Sequence, residues 1–113
     1  VPMVDARRME VYSGIFDTCG KQLTQTSATI VDGSTFAGIL AEGPALFIGD
    51  GALKCKEVIA DPGAFYHETC PRASAMLHPA LEAFRAGQFE DTAYFEPFYL
   101  KDFIATVSKK KLF

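Results

Sequence analysis

The chain has 113 residues, enough for one ordinary domain, and 49% of them are hydrophobic, enough to build a core. Charged residues make up 22% and no low-complexity tract interrupts the chain, which sets aside the disordered and fibrous classes. With 11 basic against 14 acidic residues the net charge is −3, which repels phosphate on average and argues against a basic nucleic-acid module.

In chain order, Val1-Pro2-Met3-Val4 is short and apolar, and residues 9–16 are rich in β-branched and aromatic side chains. Both read as strands. Asp17-Thr18-Cys19-Gly20-Lys21 carries turn residues, and the Thr-rich stretch 23–31 completes a three-stranded antiparallel meander. Asp32-Gly33-Ser34 offers a turn and an N-cap, after which Phe36, Ile39 and Leu40 fall at helical spacing until Gly43-Pro44. Ala45-Leu46-Phe47-Ile48 reads as a buried strand, and Gly49-Asp50-Gly51 turns it into a second helix with Ala52, Cys55, Val58 and Ile59 on one face. After Asp61-Pro62-Gly63, residues 64–67 suit a last strand. A longer helix follows with Met76, Leu77, Ala80, Leu81 and Phe84 on its apolar side, ending at Gly87, with Pro79 either in its first turn or at a kink. The order β-β-β-α-β-α-β-α joins a meander to parallel crossovers, the layout of a ribonuclease-H-like α/β lobe whose mixed sheet is flanked by helices.

The residues able to carry chemistry are few. Gly49-Asp50-Gly51 suits close approach of backbone to an anion, although it lacks the Lys and Ser/Thr of a Walker loop, and Asp50 serves equally as a plain helix N-cap. Asp5-Ala6-Arg7-Arg8 lies between two strands, where arginine forks fit carboxylate or phosphate and Asp5 could order one of them, or where the run is only a charged turn. Thus Asp5, Arg7, Arg8, Gly49, Asp50 and Gly51 are the candidate ligand or partner contacts. Cys70 with His67 and His78 offers a thiol and an imidazole, or part of a zinc site with Cys19 or Cys55, but no CxxC spacing supports either, and no catalytic or metal residue is assigned. Five aromatics between Ala93 and Phe103 either close the core or meet a second lobe, and the Lys109-Lys110-Lys111 run reads as a solvated tail.

Three cysteines, odd in number and widely spaced, suit a reducing cytoplasm. No apolar run approaches the ~20 residues of a membrane span, and no signal-peptide pattern opens the chain. Val1 stands without an initiator Met in a strand-like stretch, which points to a piece of a longer protein.

Three segments carry a family resemblance. Residues 2–12, from Pro2 through Asp5-Ala6-Arg7-Arg8 to Tyr12, Gly49-Asp50-Gly51-Ala52-Leu53-Lys54-Cys55, and the stretch from Gly87-Gln88-Phe89-Glu90-Asp91 through Phe95-Glu96-Pro97 to Phe103 resemble, in that order, the C-terminal lobe of the TsaB (YeaZ) family, most closely its Bacteroides-type members. The resemblance spans residues 1–113 as a single C-terminal lobe; the family's N-terminal lobe, with its Asp-Thr-Ser phosphate turn, has no counterpart in it. It implies an actin-like ATPase fold and a non-catalytic partner of TsaD which, with TsaE, supports threonylcarbamoyl transfer to adenosine 37 of tRNA. Contact with TsaD and TsaE through the full-length protein and a homodimer belong to that expectation. ATP and magnesium belong to the full complex, with no cofactor, stable nucleic-acid contact or membrane contact for this lobe. The rival expectation is a glycoprotease-type peptidase or an ATP-binding enzyme fragment.

Overall fold

The computed structural model describes residues 1–100. Strands β1 (Met3–Asp5), β2 (Glu10–Ser13) and β3 (Ser27–Ile30) form an antiparallel meander, with Met3 opposite Ser13 and Val11 opposite Thr29. The second and third strands are shorter than their apolar runs. Side-chain oxygens take the backbone donors that a longer ladder needs: Asp17 accepts from the N–H groups of Cys19 and Lys21, both at 2.9 Å, and Thr24 Oγ1 accepts from Ile15 N–H at 2.9 Å.

The Asp32 carboxylate organises the next turn, accepting from the Ser34 N–H and hydroxyl, each at 2.8 Å. Those bonds hold its carboxyl below the usual range. Helix α1 (Ala37–Glu42) then begins three residues beyond the expected cap, with no side chain on its first N–H groups. Strands β4 (Ala45–Ile48) and β5 (Ala64–His67) pair in parallel, Ala45 with Ala64 through Ile48 with His67. A parallel bridge from Pro2 to Ile48, with Ile48 N–H donating to Val1 O at 3.0 Å, lays β4 beside β1. In place of the expected single mixed sheet there are two sheets, β1-β2-β3 and β4-β5, and this one bridge sets them side by side in the order β3-β2-β1-β4-β5.

Between β4 and β5 the expected second α-helix does not form. Its place is taken by a 3-10 turn, Leu53–Cys55, whose bonds run from Cys55 N–H to Ala52 O and from Lys56 N–H to Leu53 O, both at 3.1 Å. Of the expected apolar face, Ala52, Cys55 and Ile59 are buried and Val58 is half-buried. Spacings of three and four residues serve a tight turn as well as an α-helix.

A second 3-10 turn, Ala73–Met76, leads into helix α2 (Leu77–Arg85). Pro79 falls in the first turn of that helix, where its missing N–H has no intrahelical partner to lose, so no kink is needed. Gly87, at φ 69°, closes the helix: its N–H reaches Phe84 O at 3.1 Å and Gln88 N–H reaches Ala83 O at 2.9 Å, a Schellman cap.

The core lies on one face of the strands. Met3, Val11, Phe47, Ala52 and Cys55 are fully buried there, and Phe36 and Tyr66 sit on either side of Phe47 with ring centroids at 5.2 and 5.5 Å. The alternating residues face the other way. Val4, Leu46 and Phe65 remain 44%, 51% and 58% exposed. Of the helices expected to flank the sheet, α2 buries none of its residues and leaves Leu77 and Phe84 open. Tyr94, Phe95, Phe98 and Tyr99 are also exposed and do not close the core; Phe103 and the Lys109-Lys110-Lys111 run lie outside the described residues.

Candidate functional site

Two of the segments singled out in the sequence meet at one corner of the fold. Asp5 ends β1 and residues 49–51 leave β4, and the Asp50 carboxylate accepts from the Asp5 N–H at 2.8 Å. Lys54, from the turn after Gly51, pairs with the Asp5 carboxylate and donates to Glu10 O at 2.7 Å. Asp5 also accepts from Arg7 N–H at 2.9 Å. One lysine and two aspartates thus tie the β1–β2 turn to the turn after β4, over a sequence separation that no local signal spans.

This corrects the reading of Asp50. It does not cap a helix: Oδ1 accepts from the end of β1, and the 3-10 turn Leu53–Cys55 has no side-chain cap. The glycines also have an intramolecular cause. Gly49 sits at φ 117°, and a Cβ there would stand 2.2 Å from Met3 O. At Gly51 a Cβ would come within 3.1 Å of Asp5 N, on the same side that lets Gly51 N–H donate to Met3 O at 3.1 Å. Close approach of the turn to β1 therefore requires both residues.

Lys54 beside Asp5, then the Arg7 N–H, holds the Asp5 carboxyl below the usual aspartate range. A depressed folded value means that this contribution is complete above the unfolded pKa, about 3.9, and disappears as pH falls through the folded one. Thermal melts from neutral to strongly acidic pH should show a shallower acid limb for Asp5→Asn than for the wild type. The limb should not vanish, because Asp32 contributes in the same direction.

The cysteine and histidine candidates are not brought into a working arrangement. No hydrogen bond links Cys70 to His67 or His78, and His78 instead contacts Glu82 at 3.1 Å on the exposed side of α2. Among the described residues no three His, Cys, Asp or Glu side chains cluster as metal ligands. Cys19 and Cys70 are exposed, whereas Cys55 is buried with Sγ 3.4 Å from Gly51 O, and burial pushes its thiol up. Iodoacetamide at neutral pH should modify two cysteines in the native protein and the third only after unfolding; rapid native labelling of Cys55 would contradict this placement.

A groove of about 410 Å³ opens beside the same corner, between β1, the carboxyl end of β4 and the segment after β5, with Val4, Ile48, Gly49, Asp50, Cys70 and Arg72 in its walls. Ligands favour that end of parallel strands. Sequence reasoning missed both Arg72 as a wall of this groove and Lys54 as the lysine of the clasp.

Among the described residues no helix is long and apolar enough to cross a membrane. No protein-family model matches the chain. No curated protein matches it either.

Proposed function

We propose that this chain is a non-catalytic, partner-binding lobe of a TsaB-like protein with ribonuclease-H-like topology, acting in the cytoplasm with TsaD and TsaE in threonylcarbamoylation of tRNA adenosine 37. The observation that carries a partner role is the open apolar face of the strands, on which Val4, Leu46 and Phe65 stay about half exposed. Isolated exposed apolar residues need no explanation, but Leu46 and Phe65, paired across β4 and β5, together with Val4 on β1 lie on the strand side turned away from the core, and such a group marks a surface that a partner can cover.

Two further observations support the family reading. An antiparallel meander, β1-β2-β3, bridged at Pro2 and Ile48 to a parallel pair, β4-β5, is compatible with the expected α/β lobe. The Asp5-Ala6-Arg7-Arg8 and Gly49-Asp50-Gly51 segments, which carry the resemblance separately in sequence, are joined through Asp5, Asp50 and Lys54. Both acids are spent on architecture there, which favours a scaffold over general acid–base chemistry.

Calorimetric titration of the chain with TsaD, beside the full-length TsaB-like protein as control, tests the reading. Binding to TsaD is the expected result. Full-length protein that binds while this chain does not would place the contact on the other lobe. The groove beside Gly49 favours one rival, an ATP-binding fragment, and heat on titrating ATP and magnesium into the chain alone would support it.

A further inference from the structure

The β1–β2 turn contains two consecutive non-glycine residues in the left-handed region, Arg7 at φ 75° and Arg8 at φ 49°. Arginine gains nothing from that conformation, which crowds Cβ against the backbone and which Gly or Asn adopts more readily. Strained positions of this kind persist only where surrounding structure over-determines them. Here Arg7 N–H is held by the Asp5 carboxylate, Ala6 N–H donates to Glu10 O at 3.0 Å, and Lys54 braces both Asp5 and Glu10.

The side chains at this apex are conspicuous for what they do not touch. Arg7 and Arg8 are exposed, and among the described residues neither guanidinium makes an ion pair, hydrogen bond or ring contact. The two aspartates that tie this turn to the turn after β4 are engaged, Asp5 by Lys54 and Asp50 by the Asp5 N–H. The turn thus presents two always-charged forks with no internal use, on a backbone fixed from three sides.

We propose that Arg7 and Arg8 form a preset recognition tip for carboxylates on an acidic segment of a protein partner, an inference that rests on the partner reading above. A guanidinium matches a carboxylate through two parallel N–H bonds, and a rigid turn loses little freedom on forming them. RNA phosphate fits less well: backbone recognition draws on many contacts, about 6–10 in well-studied complexes, whereas this tip offers two cations on a chain of net charge −3.

The test is an NMR titration of the isotope-labelled chain with hexaglutamate, repeated with a short single-stranded RNA, using wild type, Arg7→Lys/Arg8→Lys and Arg7→Gly/Arg8→Gly. Glycine relieves the left-handed conformation, so the last variant should fold at least as stably. Hexaglutamate should shift the amides of residues 6–9 in the wild type, less strongly in the lysine variant and not in the glycine variant. Equal shifts in all three, or no shift in the wild type, would overturn the tip. Tighter RNA binding through the same amides would overturn the carboxylate assignment. TsaD binding in parallel separates the two ideas: wild type that fails to bind TsaD but keeps the hexaglutamate shifts removes the partner and leaves the tip, while TsaD binding undiminished in the glycine variant removes the tip as its contact.

Discussion

Replacing Gly49 by alanine should destabilise the protein by about 3 kcal/mol or more, a large part of the 5–15 kcal/mol that holds a typical domain folded. Two effects add. An L-residue at φ 117° meets backbone crowding that costs roughly 1–2 kcal/mol. The new Cβ would also stand 2.2 Å from Met3 O, so β1 or the turn must move, with an overpacking cost of about 1–3 kcal/mol. Movement there also strains the Asp50 bond to β1 and the Lys54 pair with Asp5. Gly20→Ala is the control: its φ is 85° but nothing lies within 4 Å of the added Cβ, so only the conformational cost, about 1 kcal/mol, should appear. Denaturant midpoints for the two variants check the difference, and equal losses would mean that the contact with Met3 O is not the cause.

Phe47→Ala should cost about 3–5 kcal/mol. The ring is fully buried in the middle of the core, edge-on to Phe36 and stacked with Tyr66, and its loss leaves a void that residues on three elements cannot all close. Tyr66 is fixed on its far side by a 2.8 Å bond from its hydroxyl to Ile59 O, which limits how far it can relax inward. Phe65→Ala, on the neighbouring strand but on the open face, should change stability by only about 0.5 kcal/mol. Chemical denaturation of both variants separates the covered face from the open one.

Strands β4 and β5 were legible to the residue, because each is a short apolar run with Gly or Pro at its boundary: Pro44 and Gly49 for one, Gly63 for the other. The segment after Gly51 was legible only in its burial. Ala52 and Cys55 stand three apart, a spacing common to α and 3-10 geometry, and propensity does not report how little chain is left before β5. The aromatic residues 94–99 left two readings open, and their exposure removes closure of this core while leaving contact with a second lobe, because composition marks rings that gain by burial but not what they are buried against. At this corner the sequence marked Asp5 and Asp50 separately but not the bond between them. Asp50 looks like a cap in sequence because its bond partner, Asp5, is 45 residues away. Arg7 and Arg8 give no warning of positive φ, since that conformation is imposed by Asp5, Glu10 and Lys54 rather than preferred by arginine.

The central claim is that the open strand face meets a partner, and calorimetric titration of TsaD with Leu46→Thr/Phe65→Lys, which puts no like charges on this cross-strand pair, beside the wild type tests it most directly. Both positions are about half exposed, so the variant should keep a cooperative melt near the wild-type temperature. The account predicts wild-type binding and a loss of roughly tenfold or more in the variant; a variant that folds and binds TsaD as tightly as the wild type would contradict it.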